Sequence, residues 1–372
     1  MSLEFSILLD LIRAMAAFFV ALAHLSHVAY IGEFKGFFVW AGNPAVMVFF
    51  VLSGYLIAFS CDTKHTNFKS YFFARLVRLL PVYLLALFLV PILDILGHQN
   101  NPDLYINYPY PDLGNIISRI SVYLLFLQES NLFDSFRYFS NGPLWSLGYE
   151  FFYYIFFGIV IYFKEKLLIT FLCVVLSFLF FPKPLLLFPV WLLGVAIYKI
   201  HKSNKIEIST KQSLSGFVLS LFLLLLVILP SKTSQIIQVF CLKMQSFYID
   251  NTSPSSIYIE CYLIGCIFAL SLLCAQQFLK HIDFKIIPNK LKQNSIIKLI
   301  KTFSGFSYTL YVIHVPLIIY LSSFSFITRQ SIFQQLAILL ITYSISYMLS
   351  LLFERPHKIL LNQVYNRLNI VR

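Results

Sequence analysis

Ile7-Leu8-Leu9-Asp10-Leu11-Ile12-Arg13-Ala14-Met15-Ala16-Ala17-Phe18-Phe19-Val20-Ala21-Leu22-Ala23-His24-Leu25-Ser26-His27-Val28-Ala29-Tyr30 is apolar enough to cross a bilayer. It nevertheless carries an arginine and a histidine. Eleven residues at 100° each bring His24 to within about 20° of the direction of Arg13, so the two side chains share a helix face about 16 Å apart along the axis. An isolated intramembrane arginine costs roughly 2.5–3.5 kcal/mol, so a span that keeps one does so for a partner, a ligand or a reaction.

The remainder of the chain has the same character. Of 372 residues 59% are hydrophobic and 12% charged, with a mean hydropathy of +0.79, which excludes a soluble globular fold. The fold expected is an all-α polytopic membrane bundle. Apolar runs occur at 7–30, 44–60, 72–96, 144–163, 167–182, 185–200, 214–230, 257–279, 303–323 and 333–353, giving ten predicted spans. A further run at 116–127 is short and contains Arg119, which suits an interfacial or re-entrant piece.

Charge sets the expected orientation. With ten spans and a cytoplasmic N-terminus, twenty of the 28 Lys and Arg fall on the inner side and seven outside. Letting 116–127 cross would send sixteen of them outward. Both termini are therefore expected in the cytoplasm, and the net charge of +12 faces anionic lipid rather than nucleic acid. Ala21-Leu22-Ala23 resembles a signal cleavage site, but Glu4 and Asp10 stand where a basic leader would begin, so the first run is expected to stay as a span. Residues 1–355 read as one integral-membrane domain and 356–372 as a short cytoplasmic tail. The six cysteines lack CxxC spacing, so neither a disulfide framework nor a metal site is indicated.

Several polar residues inside these spans can carry chemistry. His24 can take and return a proton near neutral pH, although a histidine bonded to a neighbouring helix would look the same. Arg13 has Asp10 one turn before it, so that pair can be purely structural. Arg75 and Arg78, three apart at the inner entrance of the third span, share a face suited to phosphate oxygens. Spacing alone favours an anchor to lipid headgroups. Ser53-Gly54 marks a place where helices approach closely or a thin ligand passes. Asn141-Gly142-Pro143 supplies a turn before Trp145, an interface residue, and Ser146. Glu150 and His24 each lie six residues below the outer end of their spans, at equal depth, so contact between them is expected to be possible. Tyr308 and His314 belong to the ninth run, His314 near its middle.

In this order the segments resemble acyltransferase family 3, the membrane O-acyltransferases that include bacterial O-antigen acetylases. The carrying residues are Leu9 to Ala14 with His24, Phe49-Phe50-Val51-Leu52-Ser53-Gly54-Tyr55, Arg75-x-x-Arg78 with Pro81, Leu144-Trp145-Ser146-Leu147 with Glu150, and Ser307-Tyr308-Thr309-Leu310-Tyr311-Val312-Ile313-His314. The resemblance implies transfer of an acyl group, usually acetyl, from cytoplasmic acetyl-CoA to a hydroxyl of a cell-envelope glycan or its lipid-linked precursor, in a bacterial inner membrane. It makes His24 the catalytic histidine with Arg13 as its partner, and Arg75 and Arg78 the pair associated with acyl-CoA, with Ser53 and Gly54 placed beside them. Asp10, Trp145, Ser146, Tyr308 and His314 take supporting roles. Where many relatives read Trp-Ser-Leu-x-Val-Glu-Glu, this chain has Trp145-Ser146-Leu147-Gly148-Tyr149-Glu150-Phe151, so one carboxylate remains. The soluble hydrolase-like domain fused to some relatives has no counterpart in these residues.

The expected reaction has His24 deprotonating the acceptor hydroxyl, with Glu150 or His314 tuning it and Arg13 stabilising oxyanion charge if the fold brings it near. Acceptor recognition is expected on the outer segment 97–142, where Tyr105, Tyr108 and Tyr110 stand among Asn, Pro and Asp, although an interfacial tyrosine belt has the same composition. A flippase or acyl-group carrier remains open at this point, because intramembrane Arg, His and Glu serve transport as well.

Overall fold

A chain this apolar can satisfy its backbone in hydrocarbon only through helices or a closed barrel. The computed structural model describes residues 1–29, 35–64, 67–133, 137–204, 207–246, 258–281, 295–327, 331–356 and 359, and helices are the solution adopted. Thirteen α-helices and no strand occur among the described residues. They are α1 Leu3–Ala29, α2 Lys35–Lys64, α3 Phe68–Asn100, α4 Leu113–Leu124, α5 Trp145–Tyr162, α6 Leu167–Phe180, α7 Pro182–Ser203, α8 Thr210–Ile228, α9 Lys232–Ser246, α10 Tyr258–His281, α11 Ser295–Gly305, α12 Ser307–Leu321 and α13 Ile332–Phe353.

Eight of these are long and apolar enough to cross a membrane. The run at 303–323, read in sequence as one span, is instead two helices, α11 and α12, bent by 58° at Phe306. The run at 167–182 forms the 14-residue α6, whose rise of about 21 Å falls short of the hydrocarbon thickness. The segment around 116–127 is the 12-residue α4. Helix α9 lies in a stretch the hydropathy reading left unstructured. Nearly all of the proposed tail lies outside the described residues.

Local signals set the helix starts. Asn67 accepts from the Ser70 N–H at 2.9 Å to open α3, and Asp112 accepts from the Asn115 N–H at 2.9 Å to open α4. Ser209 and Gln212 form a capping box for α8. A 3-10 turn over Gly142–Leu144, with Pro143 in it, leads into α5.

The chain divides into two compact units. The first holds residues 1–20, 36–60 and 187–307. Within it α2 and α7 cross where neither backbone leaves room for a side chain: a Cβ on Gly54 would sit 2.0 Å from the Trp191 carbonyl oxygen, and one on Gly194 would sit 1.9 Å from that of Val51. Ser271 of α10 donates to Ser220 of α8 at 2.7 Å. The second unit holds residues 21–35, 61–186 and 308–372. Its helices are tied by tyrosine hydroxyls reaching backbone carbonyls across helices: Tyr71 to Tyr154 at 2.9 Å, Tyr83 to Tyr123 at 2.8 Å, and Tyr308 to Leu79 at 3.0 Å. Such bonds satisfy a buried phenol where lipid offers no water. Helix α12 is also fixed by Glu354, which accepts from the Thr309 hydroxyl at 2.6 Å and its N–H at 3.0 Å.

Candidate active site

The second unit gathers most of the residues singled out above. His24, half-buried, lies 5.1 Å from His314, ring centre to ring centre. His314 is wholly buried on α12, and its Nδ1 lies 2.8 Å from the Tyr311 carbonyl oxygen and 3.1 Å from that of Leu310. Both partners are acceptors, so Nδ1 carries the hydrogen. The opposite nitrogen, Nε2, is then a bare lone pair, buried and without a hydrogen-bond partner among the described residues.

Helices α5 and α12 carry polar groups between this histidine pair and the arginine pair. Ser146 and Tyr311 share a hydrogen bond of 2.6 Å between their hydroxyls, and the Asn141 side chain donates to the Val312 carbonyl at 2.8 Å. One turn on along α5, Glu150 accepts from the Tyr154 hydroxyl. Arg78 lies within Coulombic range of both Tyr154 and Tyr308. The guanidinium of Arg75 sits 6.0 Å from the centre of the Tyr154 ring and 5.6 Å from that of Tyr71, within cation–π reach. Arg78 is exposed and Arg75 half-buried. A succession of side chains therefore runs from Arg75 and Arg78 through Tyr154, Glu150, Tyr308, Tyr311 and Ser146 to His314 and His24. Trp145 packs edge-on against Tyr149 at 5.0 Å at the head of α5.

Glu150 and Arg13 have the following neighbours. Equal depth brought Glu150 and His24 into consideration as a pair, but the ring beside His24 is His314, and the bond described for Glu150 goes to Tyr154 on its own helix. Depth along a helix axis does not fix which neighbour a side chain faces. Arg13, in the first unit, is 3.5 Å from the Asp10 carboxylate and 3.3 Å from the Ser304 hydroxyl, which itself donates to Asp10 at 2.9 Å. That triad accounts for how the span tolerates a guanidinium.

Ser53 and Gly54 lie in the first unit, at the helix crossing. The Trp191 indole N–H donates to the Ser53 hydroxyl at 3.3 Å, and the Trp191 backbone fills the space beside Gly54. Close helix approach accounts for both small residues.

Sequence reading passed over other groups of the second unit. Asp94 of α3 is 1% exposed, and its two oxygens accept from the Ser140 N–H at 2.8 Å and hydroxyl at 2.7 Å. It sits six residues inside the end of its helix, the criterion that singled out Glu150, and was findable by it. Arg137 lies 4.8 Å from the Tyr108 ring centre, a contact between loop residues that no periodicity announces. No cluster of His, Cys, Asp and Glu able to hold a metal ion occurs among the described residues.

Comparison with known proteins gives the family of the chain. A family pattern described as an acyltransferase domain matches residues 7–351. Two Staphylococcus aureus proteins, from strains COL and MSSA476 and each named "Putative O-acetyltransferase", are 31% identical over 158 residues, which cover 41% of this chain. The match spans about a quarter of the length of those relatives, 24%. No solved structure matches the chain. The family match takes in both histidines, Arg13, the Arg75 and Arg78 pair and the Trp-Ser-Leu segment, and the chain belongs to acyltransferase family 3, a family of membrane O-acyltransferases.

Proposed function

We propose that this protein moves an acyl group, most simply acetyl, from acyl-CoA at the inner face of a bacterial cytoplasmic membrane to a hydroxyl of a cell-envelope glycan or lipid-linked glycan at the outer face. The observation that carries the reading is the polar succession within the second unit, from two arginines at one end of α3 to a histidine pair at the other end of the bundle. With the N-terminus cytoplasmic, the loop after the second span is on the inner face, which puts Arg75 and Arg78 at the start of α3 on the coenzyme's side.

His24 takes the proton of the acceptor hydroxyl as its oxygen attacks the thioester carbonyl, and coenzyme A leaves as the thiol. The bare Nε2 of His314 is the natural acceptor for the other N–H of His24, fixing its tautomer and sharing the positive charge that develops. This assigns to His314 the role that depth alone suggested for Glu150. Arg75 and Arg78 hold phosphate groups of the donor. Arg13, held by Asp10 and Ser304, positions α1 rather than touching the reacting carbonyl.

Membranes given acetyl-labelled acetyl-CoA should acquire base-labile label on a glycan. A carrier would leave the glycan unlabelled. Replacing Arg75 and Arg78 together by Ala should raise the KM for acetyl-CoA by about tenfold or more, the loss of two charge-assisted contacts, with little change toward the glycan. Equal KM values for the two proteins would return the pair to the anchor reading. His314→Ala should lower kcat by roughly 10- to 100-fold and shift the pH at which the rate falls on the acid side, since His24 then titrates without its neighbour. A structural role alone would lower the amount of folded protein and leave that pH profile in place.

A further inference from the structure

If a glycan hydroxyl is to reach His24, residues at that end of the second unit must hold the acceptor, and one cluster there is unused by the chemistry above. Its centre is Arg137 over Tyr108, 4.8 Å from guanidinium carbon to ring centre. Arg137 is exposed, and no carboxylate among the described residues forms an ion pair with it. Its backbone is held from one side, where Arg119 donates an N–H to its carbonyl oxygen. Gly142 gives its head room: a Cβ there would meet the guanidinium at 3.1 Å.

Beneath Tyr108, at 6.1 Å and edge-on, lies Tyr105. It is only 3% exposed, packed on Val315 and Ile319 of α12, and its hydroxyl has no hydrogen-bond partner among the described residues. Val315 follows His314 on α12, so Tyr105 packs on the same helix that carries the buried histidine. The one buried carboxylate nearby, Asp94, has both oxygens occupied by Ser140. Arg137 itself lies within Coulombic range of His24.

A cation over an exposed aromatic ring gains only about 0.5–1 kcal/mol, so Tyr108 aims the guanidinium without occupying its donors. A planar fork of free N–H groups, held in place and facing solvent, matches a carboxylate or a phosphate. Tyr105, buried with its hydroxyl against Gly97 of α3, supports Tyr108 from the protein side, and the face of an exposed aromatic ring suits a sugar.

We propose that Arg137, seated on Tyr108, binds an anionic group of the acceptor, so that the glycan acylated at His24 is an acidic saccharide bearing a carboxylate or phosphate close to the reacting hydroxyl. This rests on the acyltransferase reading, and the two fail in different ways.

The test uses full-length wild type, Arg137→Gln and Arg137→Lys in membranes with acetyl-labelled acetyl-CoA. The acceptors are membrane glycans, stripped of ester groups by mild base and separated by anion exchange into neutral and acidic fractions. The acidic fraction is also used after phosphatase treatment and, separately, after reduction of its carboxyl groups. Label is expected on the acidic fraction and not on the neutral one, and whichever treatment removes it identifies the anion. Arg137→Gln should raise the KM for that fraction at least tenfold, with kcat within about twofold and an unchanged KM for acetyl-CoA, and Arg137→Lys should fall between.

Label confined to the neutral fraction overturns the proposal, as does a KM unaltered by Arg137→Gln. A lower kcat at constant KM also overturns it, because the guanidinium would then act on the reacting carbonyl. Absence of label on any fraction with wild type removes the acyltransferase reading, and this proposal with it.

Discussion

His24→Ala should lower transfer to the glycan at least 100-fold, while the protein still inserts, folds and binds acetyl-CoA with an ordinary KM. The magnitude follows from the usual contribution of a positioned general base, about 10²–10⁴, or roughly 3 kcal/mol and upward in activation free energy. Folding should survive because His24 is half-buried and, among the described residues, no hydrogen bond ties its ring to a neighbouring helix in the way that Tyr71 or Tyr308 is tied. Rate measurements on membranes with matched protein content, together with thermal stability in detergent, separate the two effects. Full activity in the variant would remove His24 from the reaction. Loss of activity together with loss of the folded protein would make it a structural histidine.

The largest effect on stability is expected far from that chemistry, at the crossing of α2 and α7. Gly54→Ala and Gly194→Ala each place a methyl group about 2 Å from a carbonyl oxygen of the opposing backbone. Neither backbone can rotate away as a side chain would, so the helices must separate, and the bond from Trp191 to Ser53 goes with the contact. Overpacking of this kind costs about 1–3 kcal/mol or more, and association through small residues is a principal force between helices in lipid. Gly305→Ala is the control, since a Cβ there meets nothing within 4 Å. Both crossing variants should lose most of their folded yield in detergent and Gly305→Ala should match wild type. Equal stability of all three would mean that α2 and α7 do not approach this closely.

The helical, membrane-spanning character was legible because it depends on quantities that add along the chain. Hydropathy summed over about twenty residues found the long helices, and length alone marked 116–127 as something shorter. The bend at Phe306 was invisible to the same sum, because the residues on either side are equally apolar and a window averages across the break. The site was legible only as far as single helices go. Spacing placed Arg13 one turn from Asp10, and the pair is there, but it could not show Ser304, nearly three hundred residues away, completing it. Spacing set His24 and Glu150 at one depth, but it could not show that the packing of α12 against the end of α1 brings the ring of His314 beside the imidazole. Ser53-Gly54 carried two meanings in sequence, and the close approach of helices that one of them required is made by the backbone of α7 at Trp191.

In the proposed reaction an acyl group supplied at the arginine pair is delivered to a hydroxyl at the histidine pair on the opposite side of the membrane. Sealed inside-out membrane vesicles test it most directly, with acetyl-labelled acetyl-CoA added to the bath, which meets the Arg75 and Arg78 face, and the glycan confined to the lumen. The account predicts base-labile label on lumenal glycan, free coenzyme A remaining in the bath, and neither with His24→Ala. Label appearing only when acetyl-CoA and glycan share a compartment, or appearing equally with His24→Ala, would contradict it.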